Sequence, residues 1–215
     1  MRAIVSFVVI AAAALTGGGA DAQPPPRRVV SANLCADQLL LALGEPATIV
    51  ALSSLASDPT LSPVAAIARR FPAIRGSGEE IVRLAVDLAL IGAYDTPFTK
   101  SLLQEKGVPI FELAPWSSLA DGRAQIRALA QRLGQPARGE ALIARIEAAA
   151  QRAIGAAGRP ARFLMLHRRG YAPGARSVTS EIARIAGMVD VSSELGVAGG
   201  GFLPIEAVIA ARPDY

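Results

Sequence analysis

From residue 28 onward, short runs of aliphatic and β-branched residues recur between stretches of helical spacing. Residues 28–31, 48–52, 87–92, 108–113 and 162–167 are near-continuous apolar runs, the signature of strands buried on both faces. Between them, residues 35–43, 63–70, 79–84 and 97–106 space their apolar side chains to form one face of a helix. Strands alternating with helices predict βαβ units and a parallel sheet covered on both sides. Residues 118–157 break the alternation. Here two Ala-rich helical patterns, 124–133 and 137–153, are parted by Gly134, Gln135 and Pro136, and Leu142, Ile143 and Ile146 make an apolar stripe in the second. The pattern predicts an α/β protein of two lobes with parallel sheets joined by a long connecting helix: an N-terminal lobe over 23–117, a helical connector over 118–157 and a C-terminal lobe over 158–215.

An internal repeat supports two lobes of like topology. Glu79 and Asp87 are eight residues apart, and so are Glu206 and Asp214, with apolar residues two and five places after each Glu. Upstream, residues 37–44 (DQLLLALG) resemble residues 180–187 (SEIARIAG), each following a strand and a polar loop. In the first lobe the Asp-led strand continues into a helix and another strand, whereas the chain stops at Tyr215, one residue into the matching strand. The expectation is a truncated C-terminal lobe, a fragment lacking roughly 50 residues on typical βαβ lengths.

The first 22 residues read as an address. Arg2 is followed by a 13-residue apolar stretch, residues 3–15, too short for a membrane span of about 20 residues. Three glycines and the small-x-small pattern Ala20, Asp21, Ala22 then predict a signal peptide cleaved after Ala22, with export to the periplasm. The 215 residues are 52% hydrophobic and 19% charged, which excludes a disordered chain. A net charge of +4, spread without a basic run or an aromatic-interleaved basic patch, argues against a nucleic-acid partner. One Cys and one His exclude a disulfide framework and leave too few Cys and His ligands for a protein-built zinc or iron–sulfur site. Cys35 reads as a small buried residue, the commonest place for a free thiol.

Enzyme motifs are missing: there is no G-x-S-x-G, no P-loop and no dinucleotide fingerprint. His167, the only His, would have to serve any triad of a secreted α/β hydrolase-like enzyme, the competing reading. An exported sensor or adaptor is a third. A binder is better supported, because ligands of parallel sheets lie outside the carboxyl ends of the strands. The loops at those ends hold Asn33, Leu55, Tyr94, Trp116, Arg168, Arg169 and Tyr171, with Arg75 before the Glu79 helix. Trp116 fits either pocket or packing, and Asp37 reads as a helix cap. Glu79 and Glu206, one per lobe, each open a short helix whose N-terminus stabilises a carboxylate. As a symmetric pair they also suit a two-fold basic partner.

The mature chain resembles the periplasmic substrate-binding proteins of ABC importers for iron–siderophore complexes and cobalamin. Residues 28–44, 49–59, 76–91, 107–113, 134–143 and 202–215 carry the resemblance, and the order of all six is more specific than the G…EEI…L…DL block alone. It implies a non-enzymatic, monomeric carrier with no cofactor of its own, clamping a metal chelate between the lobes. Glu79 and Glu206 would dock onto arginines of a dimeric inner-membrane permease. Leu55 and Arg75 stand where cobalamin binders often carry aromatics. That leaves room for an anionic ferric siderophore recognised by Arg75, Arg168 or Arg169, or for haem.

Overall fold

The computed structural model describes residues 24–154 and 160–215, so the signal peptide and cleavage after Ala22 that the sequence predicts fall outside the described residues, as do residues 155–157 of the connector. The first lobe is built on β1 (Val29–Ser31), α1 (Leu34–Leu43), β2 (Ile49–Ser53), α2 (Ala65–Ala68), β3 (Ala73–Ile74), α3 (Gly78–Arg83), β4 (Leu88–Gly92), α4 (Pro97–Glu105) and β5 (Ile110–Leu113). Its strands form a parallel five-stranded sheet in the order β3-β2-β1-β4-β5. Side chains alternate across it. Val29, Leu88 and Leu90 face α1, while Val30, Ala89 and Ile91 face Ile81 of α3 and Leu103 of α4, so each face has its own core.

Two differences from the sequence reading have clear causes. The run 63–70 yields only the single turn of α2, with 310-like turns around it, and the two-residue β3 is too short to give a periodic signal. Asp37 is no cap. That place belongs to Asn33, whose Oδ1 accepts from the N–H groups of Cys35 and Ala36 at 2.9 and 3.4 Å. Asp37 is instead fully buried and accepts from both the backbone N–H and the hydroxyl of Ser53, tying α1 to the end of β2. Burial pushes its carboxyl pKa up, against the Ser53 hydrogen bonds. A carboxyl with a raised folded pKa favours the folded state more as protons are added. Asp37→Asn, neutral but still able to bond Ser53, is therefore expected to melt above the wild type at pH 7. That advantage should shrink as the pH falls from the raised folded value towards the ordinary aspartate value. Asp37→Ala, which strands the Ser53 groups, is expected to cost about 1–3 kcal/mol. Thermal melts at both pH values read all three.

The connector is two antiparallel helices, α5 (Leu119–Arg132) and α6 (Pro136–Ala153). Ile126, Leu129 and Ala130 of α5 and Ile143 of α6 enter the core beside Leu40 and Leu43, so α5 closes one face of the first sheet. The helices touch closely: a Cβ on Gly139 would lie 2.6 Å from that of Ala130.

The second lobe comprises β6 (Arg162–Phe163), β7 (Tyr171–Ala172), α7 (Val178–Ile185), β8 (Val189–Asp190), β9 (Gly201–Phe202) and α8 (Ile205–Ala211). β6 pairs with β8 in parallel, but β7 and β9 form an antiparallel pair that the sequence did not announce. The predicted strand 162–167 is correspondingly shorter. Leu164 donates to the carbonyl of Tyr215 at 2.9 Å and His167 to that of Tyr171 at 2.7 Å, so the chain turns there.

The internal repeat is structural. Asp87 accepts from the N–H groups of Arg27 and Arg28 at 2.8 and 2.9 Å and donates its own N–H back to Arg28. Asp214 stands in the same relation to Arg162, accepting at 2.8 Å and donating back. The Arg28 guanidinium caps the carbonyls of Leu84 and Ala85 after α3, and that of Arg162 caps Ala211 of α8. Two residues before each aspartate the backbone turns left-handed, at Ala85 and Arg212, both with φ of 47°.

Candidate functional site

The sheet order reverses direction between β1 and β4, and such a switch point opens a crevice at the carboxyl ends of the strands. A cavity of about 480 Å³ lies there, between the lobes. The loops after β1, β4 and β5 line it through Asn33, Tyr94, Pro115 and Trp116, Cys35 joins them from the first turn of α1, and Val178 of α7 reaches it from the second lobe. Its walls are mainly apolar, as small-molecule sites are.

Local structure explains each position. The carboxamide of Asn33 is held as the cap of α1, and its Nδ2 lies against Gly92, where a Cβ would come within 2.7 Å. Asp95 accepts from the Gly92 N–H at 2.7 Å and folds the turn that presents Tyr94, which is 89% exposed. Trp116 both packs and lines the cavity. Its indole N–H donates to Gln125 at 2.9 Å, its ring rests on the bare backbone of Gly122, and Gln125 in turn donates to the Ala114 carbonyl. Cys35 is exposed at the start of α1 and lines the cavity, contrary to the buried thiol expected. Cys35 stands one turn before Leu39 on the same side of α1, and both line the cavity.

Of the sequence-nominated residues, Asn33, Tyr94 and Trp116 come together at the cavity. Leu55 and Arg75 do not, because β2 and β3 lie on the far side of the switch point. Arg168 and Arg169 sit exposed in a tight turn before β7, and Tyr171 makes an edge contact with Phe202 at 5.5 Å and a tilted one with His167 at 6.1 Å. The His167 ring makes no hydrogen bond among the described residues. Gln125 and Val178 were missed, since neither follows a strand; only the fold brings α5 and α7 to the cleft. Among the described residues no group of three or more His, Cys, Asp or Glu is placed to hold a metal ion, and no helix is long and apolar enough to cross a membrane.

Glu79 and Glu206 are both exposed at the second position of α3 and α8. Its own backbone N–H and the Ser77 hydroxyl hold the Glu79 carboxyl below the usual range, so it stays charged at neutral pH. Glu80 completes a capping box with Ser77 and also accepts from the backbone N–H of Arg75 and Gly76.

Among solved structures, the periplasmic heme-binding protein RhuT from Roseiflexus sp. RS-1, in apo form, is 29% identical with a TM-score of 0.70, covering 87% of this chain and 74% of that one. The periplasmic heme-binding protein BhuT, in complex with two hemes, is 25% identical with a TM-score of 0.64, covering 88% and 75%. The periplasmic vitamin B12 binding protein BtuF of Vibrio cholerae shares the fold at 21% identity and a TM-score of 0.64, covering 88% and 75%. No curated protein matches the sequence significantly. The sequence model of one family, described as periplasmic binding protein, matches residues 29–215, the whole of both lobes described above, and the chain belongs to that family.

Proposed function

We propose that this protein is the solute-binding component of an ABC importer and that its cargo is a metal tetrapyrrole of the haem type. The mature carrier would begin at Gln23 after export and deliver its cargo, as a monomer, to a dimeric inner-membrane permease. The observation that carries the reading is the apolar cavity at the switch point, with Tyr94 and Trp116 at its rim and about 480 Å³ of space. That lies within the roughly 300–1,000 Å³ of small-molecule sites. A broad apolar slot with two aromatics suits a flat macrocycle. Neither Arg75 nor the Arg168–Arg169 pair lines it, which removes the cationic lining that an anionic ferric siderophore would call for. The two heme-binding relatives at 29% and 25% identity favour haem over cobalamin, whose binder at 21% speaks for the fold alone. No hydrolase reading is favoured: the His167 ring lies against Tyr171 and outside the cavity.

Titration with iron(III) protoporphyrin IX, cyanocobalamin and ferric hydroxamate and catecholate chelates tests this. Trp116 fluorescence is the reporter, with calorimetry as the check. Tight binding of the porphyrin alone is expected; binding of another chelate in its place would overturn the haem reading and leave the carrier reading standing.

A further inference from the structure

Residues 160–215 share no apolar core with the rest of the protein. Their buried cluster of Leu164, Ala172, Val191 and Leu203 holds no residue of the first lobe or the connector, and the clusters there hold none of theirs. The two parts meet instead across a polar hollow of about 650 Å³, lined by Ser117 and Ser118 ahead of α5 and by Ser180 and Glu181 of α7. One bond joins its two sides. Oε2 of Glu181 accepts from the backbone N–H of Leu119, the first residue of α5, at 2.7 Å. Among the described residues this is the only hydrogen bond between residues 160–215 and residues 24–154, and no ion pair joins them. Resting on the carrier reading, we infer that Glu181 is a positioning residue: by seating α7 on the N-terminus of α5 it holds the second lobe's wall of the cavity in place.

The chemistry of a helix start explains why this bond forms. The first N–H groups of a helix have no partner inside it. Ser118 and Asp121 satisfy those of Ser117, Ser118 and Asp121, which leaves that of Leu119 to Glu181. An ionised acceptor makes such a bond shorter and stronger, and the dipole of the 14-residue α5 favours a negative group at that end. Position explains why it matters. Val178 stands three residues before Glu181, hence on the same side of α7, and it is the described second-lobe residue that lines the cavity. Fixing one therefore fixes the other. With no shared core to oppose it, loss of the bond lets α7 draw away from α5. The fraction of molecules with a complete cavity then falls, and the apparent affinity falls with it.

The test removes each half of the bond separately. Glu181→Ala takes away the acceptor and Leu119→Pro the donor; proline is tolerated at the first helical position, and Ser118 before it is already extended. Leu119→Ala keeps the donor, Glu181→Gln keeps a neutral acceptor, and Glu105→Ala on α4 is a remote control. Without ligand, amide exchange should find the Leu119 N–H protected in the wild type and about tenfold or more less protected in Glu181→Ala. Small-angle scattering should find Glu181→Ala and Leu119→Pro more extended than the wild type. Both should bind iron(III) protoporphyrin IX about tenfold more weakly, mainly through faster release. Glu181→Gln should lose less, and Leu119→Ala and Glu105→Ala should match the wild type. Glu181→Ala combined with Leu119→Pro should bind no worse than either alone, since both remove the same bond. Thermal melts establish that each variant is folded. Equal exchange at Leu119 in the wild type and Glu181→Ala, or variants that match the wild type in scattering and affinity, would overturn the positioning role and leave the carrier reading intact. If the wild type binds no porphyrin, the tetrapyrrole reading falls, and the positioning role stands or falls on exchange and scattering alone.

Discussion

Reversing Glu79 and Glu206 together to arginine is expected to abolish uptake in cells carrying the matching permease and ATPase, with ligand affinity unchanged. Both carboxylates are exposed, one on each lobe, and neither lines the cavity. They sit at the second position of helices related by the internal repeat, so a two-fold permease would meet the same group twice. Reversal turns two attractions into two like-charge contacts, and juxtaposed like charges at an interface cost several kcal/mol. Either single reversal should weaken uptake less than the pair. Uptake assays beside porphyrin titrations of the purified variants separate docking from binding; a double variant that transports normally would remove the glutamates from the interface.

Gly139→Val is expected to be among the most damaging single changes outside the sheet. Its Cβ position lies 2.6 Å from that of Ala130, where α6 crosses α5, and both residues are buried. Overpacking of this kind costs about 1–3 kcal/mol, and each kcal/mol lowers the melting temperature of a chain this size by about 2–4 °C. Ala130→Gly in the same chain returns the space, at a propensity cost of up to about 1 kcal/mol. The two changes should therefore be less than additive in a double-mutant cycle. Since α6 leads into the second lobe, Gly139→Val should weaken porphyrin binding as well. Melting indistinguishable from wild type would mean that the helices part without cost.

The sequence made the first lobe legible because its strands are long enough, and buried enough on both faces, to read as apolar runs. It also revealed the Glu-to-Asp spacing of eight, and the reason is now visible. Each aspartate fastens the segment after its helix to the arginine-led strand beside it, so the spacing spans one helix and a left-handed turn. What stayed hidden was decided by tertiary neighbours. Two-residue strands such as β3 and β9 carry no period. Nothing local to Asp37 announces that Ser53 lies across the α1–β2 gap. The side of the switch point on which a loop falls depends on strand order, which is why Leu55 and Arg75 looked equivalent to Tyr94 and Trp116. Cys35 misled because residue type alone averages over environments that a helix start does not share.

The paired arginine clamps have a mechanical consequence. Each glutamate-bearing helix is fastened at its far end to the first strand of its own lobe, by Arg28 in one case and Arg162 in the other. The two helices therefore behave as prongs set in separate blocks, and neither can bend without loosening its block. Their spacing is therefore set by how the two blocks sit across the α5–α6 pair, and a partner gripping both prongs would read that arrangement without touching the cleft between them.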